Sequence, residues 1–222
     1  MKKILGIIGA LVLGSMTALS AKEWKNIAGF GWNLPTDFTF TADDYKNGEE
    51  VVLENQTGLE LFYMGIGKKG FAVKAAADLN GSGINHEFEK TPFIGANINL
   101  QIGAGYAPIH SEKFTVGIFG MLGIDASPFY AESTSYDTSF HKEITSKYTE
   151  GQIGYMLGGN ITAMYSPKQS FNLYASCSVN YVTPGIYLVR AEFSDIYANS
   201  ENYFDTNSSV KVIPTIGISW NF

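Results

Sequence analysis

The chain has a single cysteine, Cys177, so no disulfide can form within it. Lys and Arg number only 15 against 21 Asp and Glu, with no basic stripe, which leaves nucleic-acid binding without electrostatic support. The three histidines, His86, His110 and His141, are too scattered to give a metal-ligand spacing. Beyond residue 21, no apolar run approaches the ~20 residues that a helix needs to cross a bilayer. What is plentiful is glycine, with 24 residues, and aromatic side chains, at 14%. Both are high for a soluble enzyme.

The N-terminus has a basic start (Lys2, Lys3), an apolar stretch without charge (Ile4 to Gly14) and a small, polar end (Ser15 to Ala21). That order predicts a secretory signal peptide over residues 1–21, cut after Ser20 or Ala21, and one domain over residues 22–222. A retained membrane anchor is the rival reading. No cysteine stands near the cut, which argues against a lipid-anchored form. Loss of Lys2 and Lys3 takes the formal net charge from −6 to −8.

Period-two alternation dominates the rest. Near the C-terminus, Val210, Val212, Ile216, Ile218, Trp220 and Phe222 fall on one face of a strand. Lys211, Thr215, Gly217, Ser219 and Asn221 fall on the other. From Phe93 to Tyr106, aliphatic residues alternate with glycine, asparagine and glutamine in the same way. Eight such segments are predicted: Lys25 to Leu34, Gly58 to Ile66, Phe71 to Leu79, Phe93 to Tyr106, Phe114 to Ala126, Gly151 to Tyr165, Phe171 to Thr183 and Ser209 to Phe222. Short connections (Gly67 to Gly70, Ala107 to Lys113, Ser166 to Ser170) alternate with long ones (Pro35 to Thr57, Asn80 to Pro92, Ser127 to Glu150, Pro184 to Ser208). Within the last long connection, Ile186 to Phe193 is a candidate extension of the seventh strand.

With its signal peptide, its segregated loops and its terminal aromatic, the chain resembles the small bacterial outer-membrane β-barrels. That group includes OmpA-type barrel domains, OmpX and OmpW. The fold implied is all-β: an eight-stranded antiparallel up-and-down transmembrane β-barrel, which is also the sheet form that lipid permits because it has no open edge. The resemblance places the chain in the outer membrane, with short turns and both termini in the periplasm and long loops outside. It makes Phe222 an assembly signal read by the barrel assembly machinery. With Phe222 last, no peptidoglycan-binding domain is expected. Outer-membrane lipids are the implied partners, with a host or environmental ligand at the loops, and no cofactor is implied.

Folded this way, Tyr63, Phe71, Tyr106, Phe114, Tyr165, Phe171 and Trp220, with Phe222, form an outward girdle at the periplasmic ends, and Trp24 serves the first strand. Trp32, Tyr130, Tyr148 and Tyr181 are candidates for an outer girdle. Inward positions carry Glu60, Lys74, Asp78, Asp125 and Lys211, predicting an ionic and hydrogen-bonded cluster inside the barrel. Such a cluster stiffens the barrel as a plug or serves as a gate.

Other motifs weigh less. Gly65-Ile-Gly67-Lys-Lys-Gly70 fits the dinucleotide fingerprint, but no crossover helix and parallel strand follow, and a tight turn explains it better. Ser82 with His86, or Asp137 with His141, are the raw parts of a lipid-modifying enzyme; solvated loop residues are the plainer account, and no enzymatic activity is expected. Asp43, Asp44 and Glu49 read as an acidic loop rather than a divalent-metal site. Cys177 points outward among apolar neighbours, where a thiol is inert. Two functions follow: a structural and surface-interaction protein acting through its loops, or a transport protein. The transport reading is a narrow pore, or an OmpW-like route for small apolar molecules through the wall near Pro184 and Pro214.

Overall fold

The computed structural model describes residues 24–41, 50–85, 93–137, 142–183, 186–193, 198–204 and 208–222. The expected signal segment and its cleavage point lie outside them. Ten strands are present: β1 (Trp24–Thr41), β2 (Glu50–Gly67), β3 (Phe71–Asn85), β4 (Phe93–His110), β5 (Phe114–Asp137), β6 (Lys142–Lys168), β7 (Phe171–Val182), β8 (Ile186–Phe193), β9 (Ala198–Phe204) and β10 (Ser209–Asn221). Each pairs antiparallel with its neighbours, and the β5–β6 and β1–β10 pairings close the sheet into a barrel of eight strands, β1 to β7 with β10. Among the described residues there is no helix.

Alternation is what builds the wall. Along β7, buried and exposed residues alternate almost without interruption. The exposed set is apolar: Leu61 is 62% exposed, Ile102 68% and Tyr155 71%, with Leu122, Ile161 and Val179 on the same outer surface. A closed barrel with such a belt places it in lipid, since soluble proteins rarely expose contiguous apolar area of this extent. Cys177 lies on this outer face.

Two expectations change. The strands run well past the predicted segments at the long-loop end. β5 and β6 stay in register to Asp137 and Lys142, through most of what read as the Ser127 to Glu150 loop. At ~3.3 Å per residue and a tilt near 40°, the 27 residues of β6 rise about 70 Å, against an apolar band of ~25 Å. The second change is the β8–β9 hairpin. β7 leaves β6 at the Val182–Met156 pair, and β8 rejoins it at Ile186–Ile153, so β8 continues the course of β7. Thr183 bridges the break: its amide and hydroxyl both donate to the Tyr155 carbonyl. β9 pairs back along β8 toward the start of β10. The additional strands thus prolong barrel strands above the membrane.

The short turns are tight. Gly67 to Gly70 closes with the Gly70 amide donating to the Gly67 carbonyl at 2.9 Å. Gly70 has a φ of +84°, and a Cβ there would meet the Tyr106 ring at 2.7 Å. The dinucleotide-like glycines are therefore hairpin chemistry.

Candidate functional site

The lumen changes character along its axis. Near the short turns it is apolar: Ile27, Met64, Ile66, Phe119 and Met164 pack together, with Phe62 and Tyr174 above them. The Phe62 and Tyr174 rings meet edge to face at 4.8 Å. Gly31 makes room for this pair, since a Cβ there would strike the Tyr174 hydroxyl. Lys25 reaches under this layer to donate to Thr115 Oγ1 at 3.3 Å.

Above it lies the first ion pair. Lys74 Nζ stands 3.5 Å from Glu60 Oε2 and donates to Asn160 Oδ1 (3.1 Å) and Thr162 Oγ1 (3.2 Å). The Tyr174 hydroxyl donates to the other Glu60 oxygen at 3.1 Å. Lys74 also lies 5.1 Å over the Phe62 ring. The second pair is Lys211 with Asp125, whose carboxylate also accepts from Asn97 Nδ2 (2.7 Å) and Ser127 Oγ (2.9 Å). Asp78 is held by amides: Asn33 Nδ2 donates to one oxygen at 3.1 Å and Gln101 Nε2 to the other at 3.2 Å. All five charged residues are buried. Among the described residues the lumen thus holds two ion pairs and a carboxylate, Asp78, that accepts from two amides and lies in the field of both lysines. Lys211 engages Asp125, which sequence alone had no means of pairing with it.

On the outer face at the short-turn end, Phe71, Tyr106, Phe114, Tyr165, Trp220 and Phe222 are exposed and Phe171 half-exposed. Phe114 stacks on Tyr165 at 5.2 Å, and Trp24 meets Phe71 edge-on at 5.9 Å. Tyr63 is not exposed as the other girdle residues are. It is only 4% exposed, because the Phe222 ring lies 6.4 Å away and its hydroxyl donates to Asn26 Oδ1 at 2.8 Å. Phe222 is anchored by its amide, which donates to the Asn26 carbonyl at 3.0 Å. Trp32 and Tyr181 are exposed farther up. Nothing is described of the side chains of Tyr130, Tyr148, Ser82 or Asp137, and His86, His141 and the acidic residues 43, 44 and 49 lie outside the described residues. His110 sits in a short turn with Nδ1 2.8 Å from the Ala107 carbonyl.

One feature of the wall has no signature in the sequence pattern. β1 and β10 pair from Ile27–Asn221 to Asn33–Thr215 and no farther. Above that point β1 pairs with β2 as far as Thr41, and β10 with β7 as far as Ser209. Pro35 and Pro214 flank the last β1–β10 pair, and neither brings an N–H to the seam. The expected route lay between the strands of Pro184 and Pro214, but β7 and β10 pair without a break from Ser209–Val182 to Trp220–Phe171, and Pro184 lies outside the described residues.

No family model and no curated protein matches the chain. Solved structures do. The outer membrane protein OprG from Pseudomonas aeruginosa aligns with a TM-score of 0.54 at 14% identity, over 90% of this chain and 96% of that one. A major outer membrane protein from Thermus thermophilus aligns with a TM-score of 0.55 at 13% identity, over 90% and 99%. The likeness is one of fold: a small bacterial outer-membrane β-barrel.

Proposed function

We propose that this outer-membrane barrel acts through the wall and loops that stand beyond the membrane, as a structural and surface-interaction protein with no axial pore and no enzymatic activity. The observation that carries this reading is the packed lower lumen. Ile27, Met64, Ile66, Phe119 and Met164 fill the short-turn end as a soluble core would be filled. Eight-stranded barrels are just wide enough for their own side chains, so such packing leaves no solute path. The height of β5 and β6 supports the other half of the reading, because it lifts long loops clear of the lipid. A host or environmental partner would meet those loops, outer-membrane lipids the exposed belt, and the barrel assembly machinery Phe222. The test is single-channel recording in planar bilayers with refolded protein whose folding is checked by a heat-dependent gel shift. A silent membrane is expected; steady, discrete channels would overturn the reading.

The seam favours a second reading, in which small apolar molecules leave the upper lumen sideways into the membrane. Cysteines at Leu34 and Pro214, in a Cys177→Ser background, would bolt the seam shut on oxidation. Uptake of a small apolar dye into vesicles should then fall. Uptake that ignores the bolt rejects the wall route.

A further inference from the structure

Asn97, Asn99 and Gln101 recur on the inner face of β4, every second residue, and all three are buried. Each has a side-chain oxygen with no hydrogen-bond donor. Asn99 is the extreme case: it is 0% exposed and neither its oxygen nor its nitrogen has a partner. In register it stands between two carboxylates, opposite Asp78 on β3 and opposite Asp125 on β5. Buried polar atoms are normally satisfied, so a column of orphaned acceptors beside a carboxylate asks for something positive.

The charge balance asks for the same. Among the described residues, three buried carboxylates (Glu60, Asp78, Asp125) face two buried ammonium groups (Lys74, Lys211). Glu60 and Asp125 each have an ion-pair partner, while Asp78 is bonded by amide donors. With all three carboxylates ionised, these residues carry one negative charge in excess, and Asp78 sits beside the column.

We propose that the lumen binds one monovalent alkali cation here, with the Asp78 carboxylate and the side-chain oxygens of Asn99 and Gln101 as its ligands. Oxygen-only ligation suits a hard cation. A single carboxylate suits a single charge; calcium sites draw on more and magnesium keeps several of its waters, and among the described residues no three His, Cys, Asp or Glu come together as a metal group. A proton on Asp78 would answer the charge and could donate to one amide oxygen, but would leave the others on the column with nothing to accept. The inference does not rest on the surface-interaction reading.

The experiment uses the full refolded chain in zwitterionic micelles. The unfolding midpoint is measured in sodium chloride and in choline chloride at equal ionic strength. A ligand that binds only the folded state raises the midpoint with its concentration. The midpoint should be higher in sodium, and Asp78→Asn should abolish the difference. Sodium-23 NMR line broadening by the wild-type protein gives a reading that needs no variant, and Asn99→Leu, which changes no charge, should remove it. Equal midpoints in the two salts, absent line broadening, or a sodium effect that survives Asp78→Asn would each overturn the proposal.

Discussion

Near the short turns the lumen is filled by Ile27, Met64, Ile66, Phe119 and Met164, while toward the long loops it is filled by Asn33, Asn97, Asn99, Asp125, Asn180 and Lys211. The same cylinder of backbone encloses both. The lower half is stabilised by shape, because aliphatic and aromatic groups leave no bonds unmade. The upper half depends on partners, and Asn97, Asn99, Gln101 and Asn180 each retain at least one unpaired polar atom. Charge outside the lumen follows the same axis. The segments 34–58, 80–93, 127–152 and 183–208 hold 16 of the 21 Asp and Glu, whereas Lys68, Lys69, Lys113 and Lys168 all sit in the short turns. One end is packed and basic, the other hydrogen-bonded and acidic.

The sharpest way to break that contrast is to unpair a charge in the upper half. Lys211→Met leaves Asp125 buried with only neutral donors from Asn97 and Ser127, and should cost about 4 kcal/mol in urea unfolding of the refolded protein. Adding Asp125→Asn to it should restore part of that loss, because the double variant buries no orphaned charge. If the double variant is worse than the single, the upper lumen is not governed by charge pairing. In the lower half, Phe119→Ala should cost about 3 kcal/mol by leaving a cavity, with no rescue from a polar substitution nearby. Glu60→Gln probes the boundary between the halves. Lys74 keeps Asn160 and Thr162, so a cost of about 2 kcal/mol is expected, less than for Lys211→Met. A larger loss for Glu60→Gln would make the lower ion pair the keystone.

Strand existence was legible because a barrel wall has one wet or filled side and one lipid side, and period two reports that directly. Phe93 to Tyr106 is the plainest case. Strand height was not legible. β5 keeps pairing with β6 through Ser133, Thr134 and Ser135, a polar run with no alternation to announce a strand. Alternation also tells which side chains face inward but not how deep each lies. Depth depends on how neighbouring strands are staggered. Glu60 and Asp78 prove to be direct register neighbours, while Lys211 reaches Asp125 from β10 to β5. The β1–β10 seam is hidden for a similar reason. Pro35 and Pro214 are about as far apart in sequence as the barrel allows, and only closure brings them to one seam.

Tyr63 shows where parity alone misleads, and its substitution is the smallest effect expected. By parity it belongs to the outer face, with Leu59 and Leu61, which are exposed. It is buried where the chain end comes beside it: the Phe222 ring lies 6.4 Å away and the Tyr63 hydroxyl donates to Asn26 Oδ1. In lipid, a tyrosine whose hydroxyl is satisfied by protein has no need to reach the headgroups. Tyr63→Phe should therefore cost about 1 kcal/mol, the value of one hydrogen bond, with the ring contact retained. A headgroup-anchoring tyrosine would respond to membrane thickness instead. The measurement is the loss in stability in bilayers of two acyl-chain lengths. An equal loss in both assigns Tyr63 to the closing of the barrel by Phe222; a loss that changes with chain length returns it to the girdle.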